Sequence, residues 1–186
     1  MKVAVIDLGS NSIRLLIVNI SGQTFLPVYK KLIVTRLGQG VVKNQLLDDM
    51  SMKNTIKAMA EMKHDTLSFG CERVYAFGTS ALREAKNGKE FLNDIKNQIG
   101  IDVDILSGKD EALFSFKGAR RGLFNLSKVL IIDIGGGSTE FSLGNSQLIK
   151  SVSLPMGAVR FTNTYVKSDP PKLDELQRAE IGRAHV

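Results

Sequence analysis

The feature that most constrains the fold is an internal repeat of a strand followed by a glycine- and serine-rich turn. Residues 3–12 read VAVIDLGSNS and residues 129–138 read VLIIDIGGGS, so that Asp7 and Asp133 occupy equivalent places at an offset of 126 residues. In each copy an apolar stretch typical of a buried strand ends in Asp, and a second strand follows the turn. One such segment is common, but two at domain spacing predict a duplicated domain.

The segment between the two copies predicts one complete α/β domain. Three strands come first, and helices and strands then alternate, which is the order of the ribonuclease-H-like (actin-like ATPase) unit on which actin, Hsp70 and sugar kinases are built. The predicted strands are 3–7, 13–20, 25–34, 73–77 and 102–106. The predicted helices are 48–69, 80–85, 88–99 and 109–123. The second copy continues through strands near Leu130, Phe141 and Leu148.

These elements predict the domain organisation. A first actin-like domain is expected over residues 1–123, and the truncated start of a second over residues 124–180. Residues 181–186 resemble one translated reading frame of a common sequencing adapter, and they are interpreted as a non-native tail. We therefore expect that the coding sequence was cut short near Glu180.

Composition and charge narrow the function classes. The chain is 43% hydrophobic and 24% charged, which is typical of a folded globular protein. The single Cys71 excludes a disulfide framework, and no apolar run reaches the ~20 residues that a membrane helix needs. The net charge of +6 suits a polyanion, but the basic residues are scattered, and three tyrosines with no tryptophan argue against nucleic acid. We expect a cytoplasmic protein that binds neither membranes nor nucleic acid.

The first turn has the composition of a phosphate-binding loop. A tight turn after a strand can direct successive backbone N–H groups, together with Ser and Asn side chains, at one phosphate. This predicts substrate binding by Gly9, Ser10, Asn11 and Ser12, with Asp7 at the strand end orienting a metal ion or its water. A plain Gly/Ser/Asn hairpin would have the same composition.

The second turn is the sharper signal, because three consecutive glycines carry an entropic cost that a simple turn rarely justifies. A loop that cradles phosphate needs bare amides, since side chains would block them. The predicted substrate-binding residues are Gly135, Gly136, Gly137, Ser138 and Thr139. Glu140 begins the next strand, where it could hold a metal ion or a water molecule.

Five segments in order resemble a known family. They are residues 7–15, 78–87, 106–112, 133–140 and 153–160, and together they resemble the exopolyphosphatase / guanosine pentaphosphate phosphohydrolase (Ppx/GppA) phosphatase family. That family belongs to the actin, Hsp70 and sugar-kinase superfamily. The resemblance therefore implies the same α/β, ribonuclease-H-like fold as the order of elements does.

The resemblance also implies roles for individual residues. Glu111 matches the catalytic glutamate that activates the attacking water, although by itself an acid in the first turn of a helix is what the helix dipole favours. Glu140 and Asp133 match residues at the metal and nucleophilic-water region, with Mg²⁺ as the implied cofactor. Arg83 matches an arginine near the phosphate cleft, and it could equally be a surface charge on a helix. The segment 157–160 is expected near the same cleft, with no chemical role assigned.

The function implied is hydrolysis of a phosphoanhydride, releasing terminal phosphate from inorganic polyphosphate or guanosine pentaphosphate. Two alternatives stay open: an ATP-dependent kinase of the same superfamily, and a non-catalytic actin-like or polyphosphate-binding protein. Glu111 and the 78–87 segment favour the hydrolase. The resemblance further implies a homodimer for the full-length protein. The internal repeat predicts two phosphate loops that face each other across a cleft. The truncated second domain predicts exposed apolar surface on the strand 129–134 and an inactive, poorly soluble fragment.

Overall fold

Two separate sheets organise the chain, one in each of two units, Met1–Ile105 and Leu106–Val186. The computed structural model describes residues 1–123 and 126–183, with side chains through Glu180. Among the helices in these ranges, none combines the length and the apolar character needed to cross a membrane.

The first unit contains a five-stranded sheet with the order β3-β2-β1-β4-β5. Its strands are β1 Lys2–Leu8, β2 Ser12–Ser21, β3 Thr24–Val34, β4 Arg73–Gly78 and β5 Asp104–Ile105. Its helices are α1 Val41–Asn44, α2 Asp49–Ser68, α3 Ser80–Glu84 and α4 Gly88–Ile99. The first three strands pair antiparallel, whereas β4 runs parallel to β1 and β5 parallel to β4. This confirms the ribonuclease-H-like order.

The core of the first unit lies between one face of this sheet and the helices α2 and α4. Period-two alternation in β1 turns Ala4, Ile6 and Leu8 to that face, where all three are buried. Met59 of α2 and Phe91 of α4 are buried in the same cluster. This packing fixes the carboxyl ends of β1 and β4, from which the first turn and α3 begin.

The second unit repeats the strand–turn–strand start around a three-stranded antiparallel sheet, in the order β6-β7-β8. Its strands are β6 Val129–Ile134, β7 Thr139–Gly144 and β8 Leu148–Leu154. Its helices are α5 Gly108–Arg120, α6 Ala158–Tyr165 and α7 Leu173–Arg183.

Helix α5 covers one face of this sheet. Its buried side chains Ala112 and Phe116 face β7, where Gly144 makes room because a Cβ there would meet the Phe116 ring at 2.4 Å. The alternate side chains of β6 are exposed instead: Leu130 by 58%, Ile132 by 51% and Ile134 by 72%. The expectation of exposed apolar surface on this strand is confirmed.

The structure differs from the sequence-based prediction in a few places. The division between units falls after Ile105 rather than after residue 123, because the buried side of α5 packs on the second sheet. The predicted strand at 102–106 shortens to Asp104–Ile105. Helices α1 and α7 were missed, and α6 was not assigned as a helix. Of the expected tail, 181–183 continue α7, and 184–186 lie outside the described residues.

Candidate phosphate-binding loops and acidic site

The first loop, residues 9–12, is closed by a hydrogen bond from Gly9 N–H to the Ser12 carbonyl oxygen at 3.1 Å. Its outer carbonyls are held by the coil that follows β3. Gly38 N–H donates to the Ser10 carbonyl at 2.7 Å, and the N–H groups of Thr35 and Arg36 donate to the Asn11 carbonyl at 3.1 and 2.9 Å.

These bonds determine where the loop amides point. In a trans peptide the C=O and the next N–H point in opposite directions. With the Ser10 and Asn11 carbonyls turned to the coil after β3, the N–H groups of Asn11 and Ser12 face the opposite side. Gly9 N–H, by contrast, is engaged within the turn.

The second loop, residues 135–138, has the same closing bond. Gly135 N–H donates to the Ser138 carbonyl at 2.9 Å. Here the outer carbonyls are held by the first turn of α6: Ala158 N–H donates to the Gly135 carbonyl at 3.0 Å, and Val159 N–H to the Gly136 carbonyl at 2.9 Å.

A side chain holds the last carbonyl of the second loop. Arg160 donates from Nε to the Gly137 carbonyl at 2.9 Å, and its own N–H donates to the Gly136 carbonyl at 3.1 Å. By the trans-peptide argument, Gly136, Gly137 and Ser138 all direct their N–H groups away from α6. Within the described part of the chain no residue accepts from these three amides. Successive N–H groups directed to one side form an anion-binding concavity.

The predicted loop residues therefore differ in what their backbone groups do. Ser10 is buried, and its carbonyl accepts from Gly38 N–H. Asn11, Ser12, Gly136, Gly137 and Ser138 present amides, whereas Gly9 and Gly135 use theirs to close the turns. Thr139 is 2% exposed, and its hydroxyl donates to the Met156 carbonyl at 2.5 Å. The hydroxyl proton of Thr139 is therefore used within the protein and not directed toward a ligand.

Two carboxylates flank the second loop on neighbouring strands. Asp133 of β6 and Glu140 of β7 are directly opposite each other in the antiparallel register. Asp133 accepts from the Ser115 hydroxyl of α5 at 2.5 Å, and Glu140, which is 2% exposed, accepts from the Ser153 hydroxyl of β8 at 2.7 Å. The two hydroxyl groups fix both carboxylates beside the loop.

Helix α5 brings Glu111 to the same end of the sheet. Ser107 caps the helix by accepting from Asp110 N–H at 3.1 Å. The start of the helix packs closely on β8: a Cβ at Gly108 would lie 3.0 Å from the Ser153 Cβ. Two turns later the helix contacts β6 through the hydrogen bond from Ser115 to Asp133. Glu111 lies between these two contacts, one turn before Ser115, and is half-buried. Glu111 therefore lies on the same face of α5 as Ser115, one turn nearer the start of the helix, and its grouping with the two flanking carboxylates stays a prediction.

In the first unit, Asp7 and Arg83 lie at the edge that carries the first loop. Asp7 is at the end of β1, paired with Arg14 of β2 and Phe77 of β4. Arg83 is half-buried on α3, which begins directly after β4, where Thr79 N–H approaches the Leu8 carbonyl at 3.4 Å. The carboxyl ends of β1 and β4 therefore place Asp7, the first loop and Arg83 at one edge of the first sheet, and their roles in binding metal or phosphate stay predictions.

The donor chemistry at these places fits Mg²⁺. Magnesium is held in proteins by one or two carboxylates, with the remaining positions taken by water and substrate phosphate. Asp7 and Asp133 are each the second-to-last residue of a strand that leads into a loop with open amides. The described residues contain no group of three His, Cys, Asp or Glu side chains of the kind that binds a metal by protein ligands alone.

Several supporting residues were not predicted. Ser115 has no local sequence signal, because its role depends on the packing of α5. Ser153, Gly157 and Arg160 lay within a segment that resembled the family, but no role was assigned to them. Cys71 is half-buried, and burial raises the pKa of its thiol, which disfavours the thiolate form that a nucleophile needs.

The fold and the paired strand–loop–strand segments define a protein of the actin-like ATPase superfamily. The model of the Ppx/GppA phosphatase family matches residues 16–182, and the chain belongs to this family. The resemblance seen in the sequence is thereby confirmed.

Individual relatives agree with this assignment. The chain is 37% identical over 172 residues to the bifunctional 3-dehydroquinate synthase/phosphatase of Fusobacterium nucleatum, covering 87% of this chain and 26% of that protein. It is 32% identical over 174 residues to exopolyphosphatase 1 of Mycobacterium bovis, covering 92% of this chain and 51% of the relative. The crystal structure of the Ppx/GppA family member of Aquifex aeolicus matches with a TM-score of 0.77 at 35% identity, covering 96% of this chain and 58% of that one. The chain therefore spans about half the length of the exopolyphosphatase relative.

Proposed function

We propose that this chain carries the phosphate-binding loops and acidic residues of a hydrolase that releases terminal phosphate from inorganic polyphosphate. The observation that carries the proposal is the set of three amides, Gly136, Gly137 and Ser138, directed to one side beside Asp133 and Glu140. The exopolyphosphatase name of the mycobacterial relative supports the choice of substrate. Guanosine pentaphosphate, which ends in the same anhydride, is the second substrate proposed.

The loops supply binding and orientation. A phosphate chain is strongly negative and repels an incoming nucleophile, so N–H donors fixed in advance reduce this repulsion without reorganising during the reaction. Asn11 and Ser12 in the first unit, with Arg83 at the same edge, would bind phosphate oxygens in the same way. Asp133 and Asp7 would hold Mg²⁺, which neutralises charge on bound phosphates.

The acidic residues supply the proton acceptor. Glu111 would accept a proton from water as the water attacks phosphorus in line with the leaving phosphate. Glu140 would fix the position of that water, since the Ser153 hydroxyl holds its carboxylate in place. A general base of this type contributes about 10²- to 10⁴-fold to the rate.

The test is Glu111→Gln in the protein that carries this sequence, with phosphate release and polyphosphate binding measured separately. Gln keeps the size and the hydrogen bonding but cannot accept a proton, so we expect turnover to fall about 10²- to 10⁴-fold with affinity nearly unchanged. Asp110→Asn is the matched control, because Asp110 is the adjacent acid on the same turn, exposed and paired with Ser107. Wild-type turnover in Glu111→Gln would remove this residue from the mechanism.

The same assay separates the hydrolase from a kinase of the superfamily. A hydrolase releases phosphate from polyphosphate with water as the only acceptor. A kinase would require ATP and a second substrate, and polyphosphate alone would give no product. Transfer of the terminal phosphoryl group of ATP to such an acceptor, with no phosphate released from polyphosphate, would favour the kinase.

A further inference from the structure

We propose that Arg160 is a positioning residue that sets the orientation of the amides in the second phosphate loop. The inference rests on the proposed function for its ligand, a phosphate chain, but its structural part stands by itself. It concerns the segment 157–160, which is joined to the loop by backbone hydrogen bonds and by a hydrogen bond from the Arg160 guanidinium.

The first step is the orientation of the third peptide. Ala158 N–H and Val159 N–H hold the carbonyls of Gly135 and Gly136, and these bonds orient the amides of Gly136 and Gly137. The Ser138 amide depends on the Gly137 carbonyl, which accepts from Arg160 Nε at 2.9 Å. Removal of this donor frees the third peptide to rotate, and glycine flanked by glycine offers little resistance to rotation.

The second step is the close approach of the start of α6 to the second loop, which allows these hydrogen bonds to form. A Cβ at Gly157 would lie 2.5 Å from both C and O of Gly136, so only glycine allows α6 to begin this close to the loop. Gly157 itself is extended, with φ −157°, a backbone conformation open to any residue. Its requirement is therefore for space alone, and Ala would push α6 and the loop apart.

The third step is the chemistry of the arginine. A guanidinium donates in fixed directions from a planar group, whereas an ammonium on a flexible stem does not reproduce the Nε donor. If Arg160 acted only through its charge on a nearby phosphate, Lys would preserve the effect. If it acts by holding the Gly137 carbonyl, Lys would lose it.

The experiment compares wild type, Arg160→Lys, Arg160→Gln and Gly157→Ala in the protein that carries this sequence. Backbone ¹H–¹⁵N spectra of the ligand-free proteins report the Ser138 amide directly. Titration with inorganic polyphosphate reports affinity. The control is Arg178→Gln, because Arg178 is an exposed arginine of the same unit that pairs only locally with Asp174 on α7.

We expect Arg160→Lys and Arg160→Gln both to shift the Ser138 amide resonance and to weaken polyphosphate binding about tenfold to hundredfold, the range for loss of one hydrogen bond to a charged group. Gly157→Ala is expected to shift the Gly136, Gly137 and Ser138 resonances together. Arg178→Gln should change neither the loop resonances nor the affinity.

The outcomes separate the two proposals. Full affinity in Arg160→Lys, or an unmoved Ser138 amide in both Arg160 variants, would overturn the positioning role while leaving the loop as a phosphate site. Wild-type protein that does not bind polyphosphate would overturn the proposed function. Shifted amides in the unbound variants would then still establish Arg160 as the residue that holds the loop.

Discussion

The two phosphate loops share one backbone arrangement but are held by different means. Each closes with a bond from a glycine N–H to a serine carbonyl, Gly9 to Ser12 at 3.1 Å and Gly135 to Ser138 at 2.9 Å. The first loop is held by backbone amides of the coil after β3. The second is held by the first turn of α6 and one guanidinium.

In each unit a glycine outside the loop packs against it, at a place where a side chain would not fit. A Cβ at Gly38 would lie 2.8 Å from the Ser10 Cβ, and a Cβ at Gly157 would lie 2.5 Å from the Gly136 carbonyl carbon. Each glycine follows the third strand of its unit, and neither lies within the repeat that was visible in the sequence. The two loops therefore share the orientation of their peptide planes, whereas the residues that fix this orientation differ between the two units.

The largest effect on this comparison is expected from Gly137→Asn, which gives the second loop the residue found at the equivalent position, Asn11, of the first. Gly137 is not in the left-handed region, so Asn should be accommodated by the backbone. Its side chain would cover part of the open amides. We expect polyphosphate affinity to fall about tenfold or more, the cost of one or two lost hydrogen bonds to charge, with little change in the thermal midpoint. Isothermal titration and thermal unfolding measure the two quantities.

Unchanged affinity in Gly137→Asn would show that the three glycines are not needed for ligand access. The two loops would then be interchangeable, and the argument from bare amides would fail.

Gly38→Ala tests the first loop in the same way as Gly157→Ala tests the second. The added methyl would press on Ser10, whose carbonyl accepts from Gly38 N–H. Overpacking of this kind costs about 1–3 kcal/mol, and we expect the free energy of unfolding to fall by that amount in urea titrations. Gly22→Ala is a poor match because Gly22 has φ 56°, whereas Gly118→Ala adds a methyl where nothing lies within 4 Å and serves as the control.

Ser153→Ala tests the support of the acidic site. It removes the hydroxyl that donates to the buried Glu140 carboxylate. Loss of a partner to a buried polar group costs about 1–3 kcal/mol, which urea unfolding would measure. The exposed Ser146 is the control for the same substitution. Equal stability of both variants would mean that Ser153 does not support Glu140.

Much of the fold followed from local patterns in the sequence. Strands β1 and β6 are each marked in the sequence by an apolar run. The start of helix α2 is marked by an N-cap residue, Asp48, which accepts from Ser51 N–H at 2.9 Å. Helix α1 was missed because its four residues are too few for a periodic pattern. Helix α7 was missed because it is largely polar, and its buried residue Glu175 is a carboxylate instead of an apolar side chain.

The residues proposed for the site have local signals in the sequence, whereas the contacts that support them do not. Asp133 and Gly135 to Ser138 lie in one segment, so their grouping is local. The hydrogen bonds from Ser115, Ser153 and Arg160 join elements that are distant in sequence, and only the packing of α5 and α6 on the second sheet creates them. The domain boundary was misplaced for the same reason.

The smallest effect concerns a carboxylate outside the site. Glu175 accepts from Lys172 N–H at 3.0 Å and from the Ser168 hydroxyl at 2.7 Å, and these bonds lower its pKa from 4.5 to about 2. A lowered pKa adds stability that is complete above the ordinary value and is lost as the pH falls through about 2. We expect Glu175→Gln to destabilise α7 slightly at pH 7 and to remove this acid-dependent part, measured by hydrogen exchange in residues 167–180. An unchanged acid profile would contradict the assignment to Glu175.

The most direct test of the account is a map of backbone amide shifts as inorganic polyphosphate is added to the protein that carries this sequence. The account predicts that the amides of Asn11, Ser12, Gly136, Gly137 and Ser138 all shift, while the turn-closing amides of Gly9 and Gly135 shift less. Shifts confined to surface lysines and arginines, or loop amides that do not move at saturating polyphosphate, would contradict it.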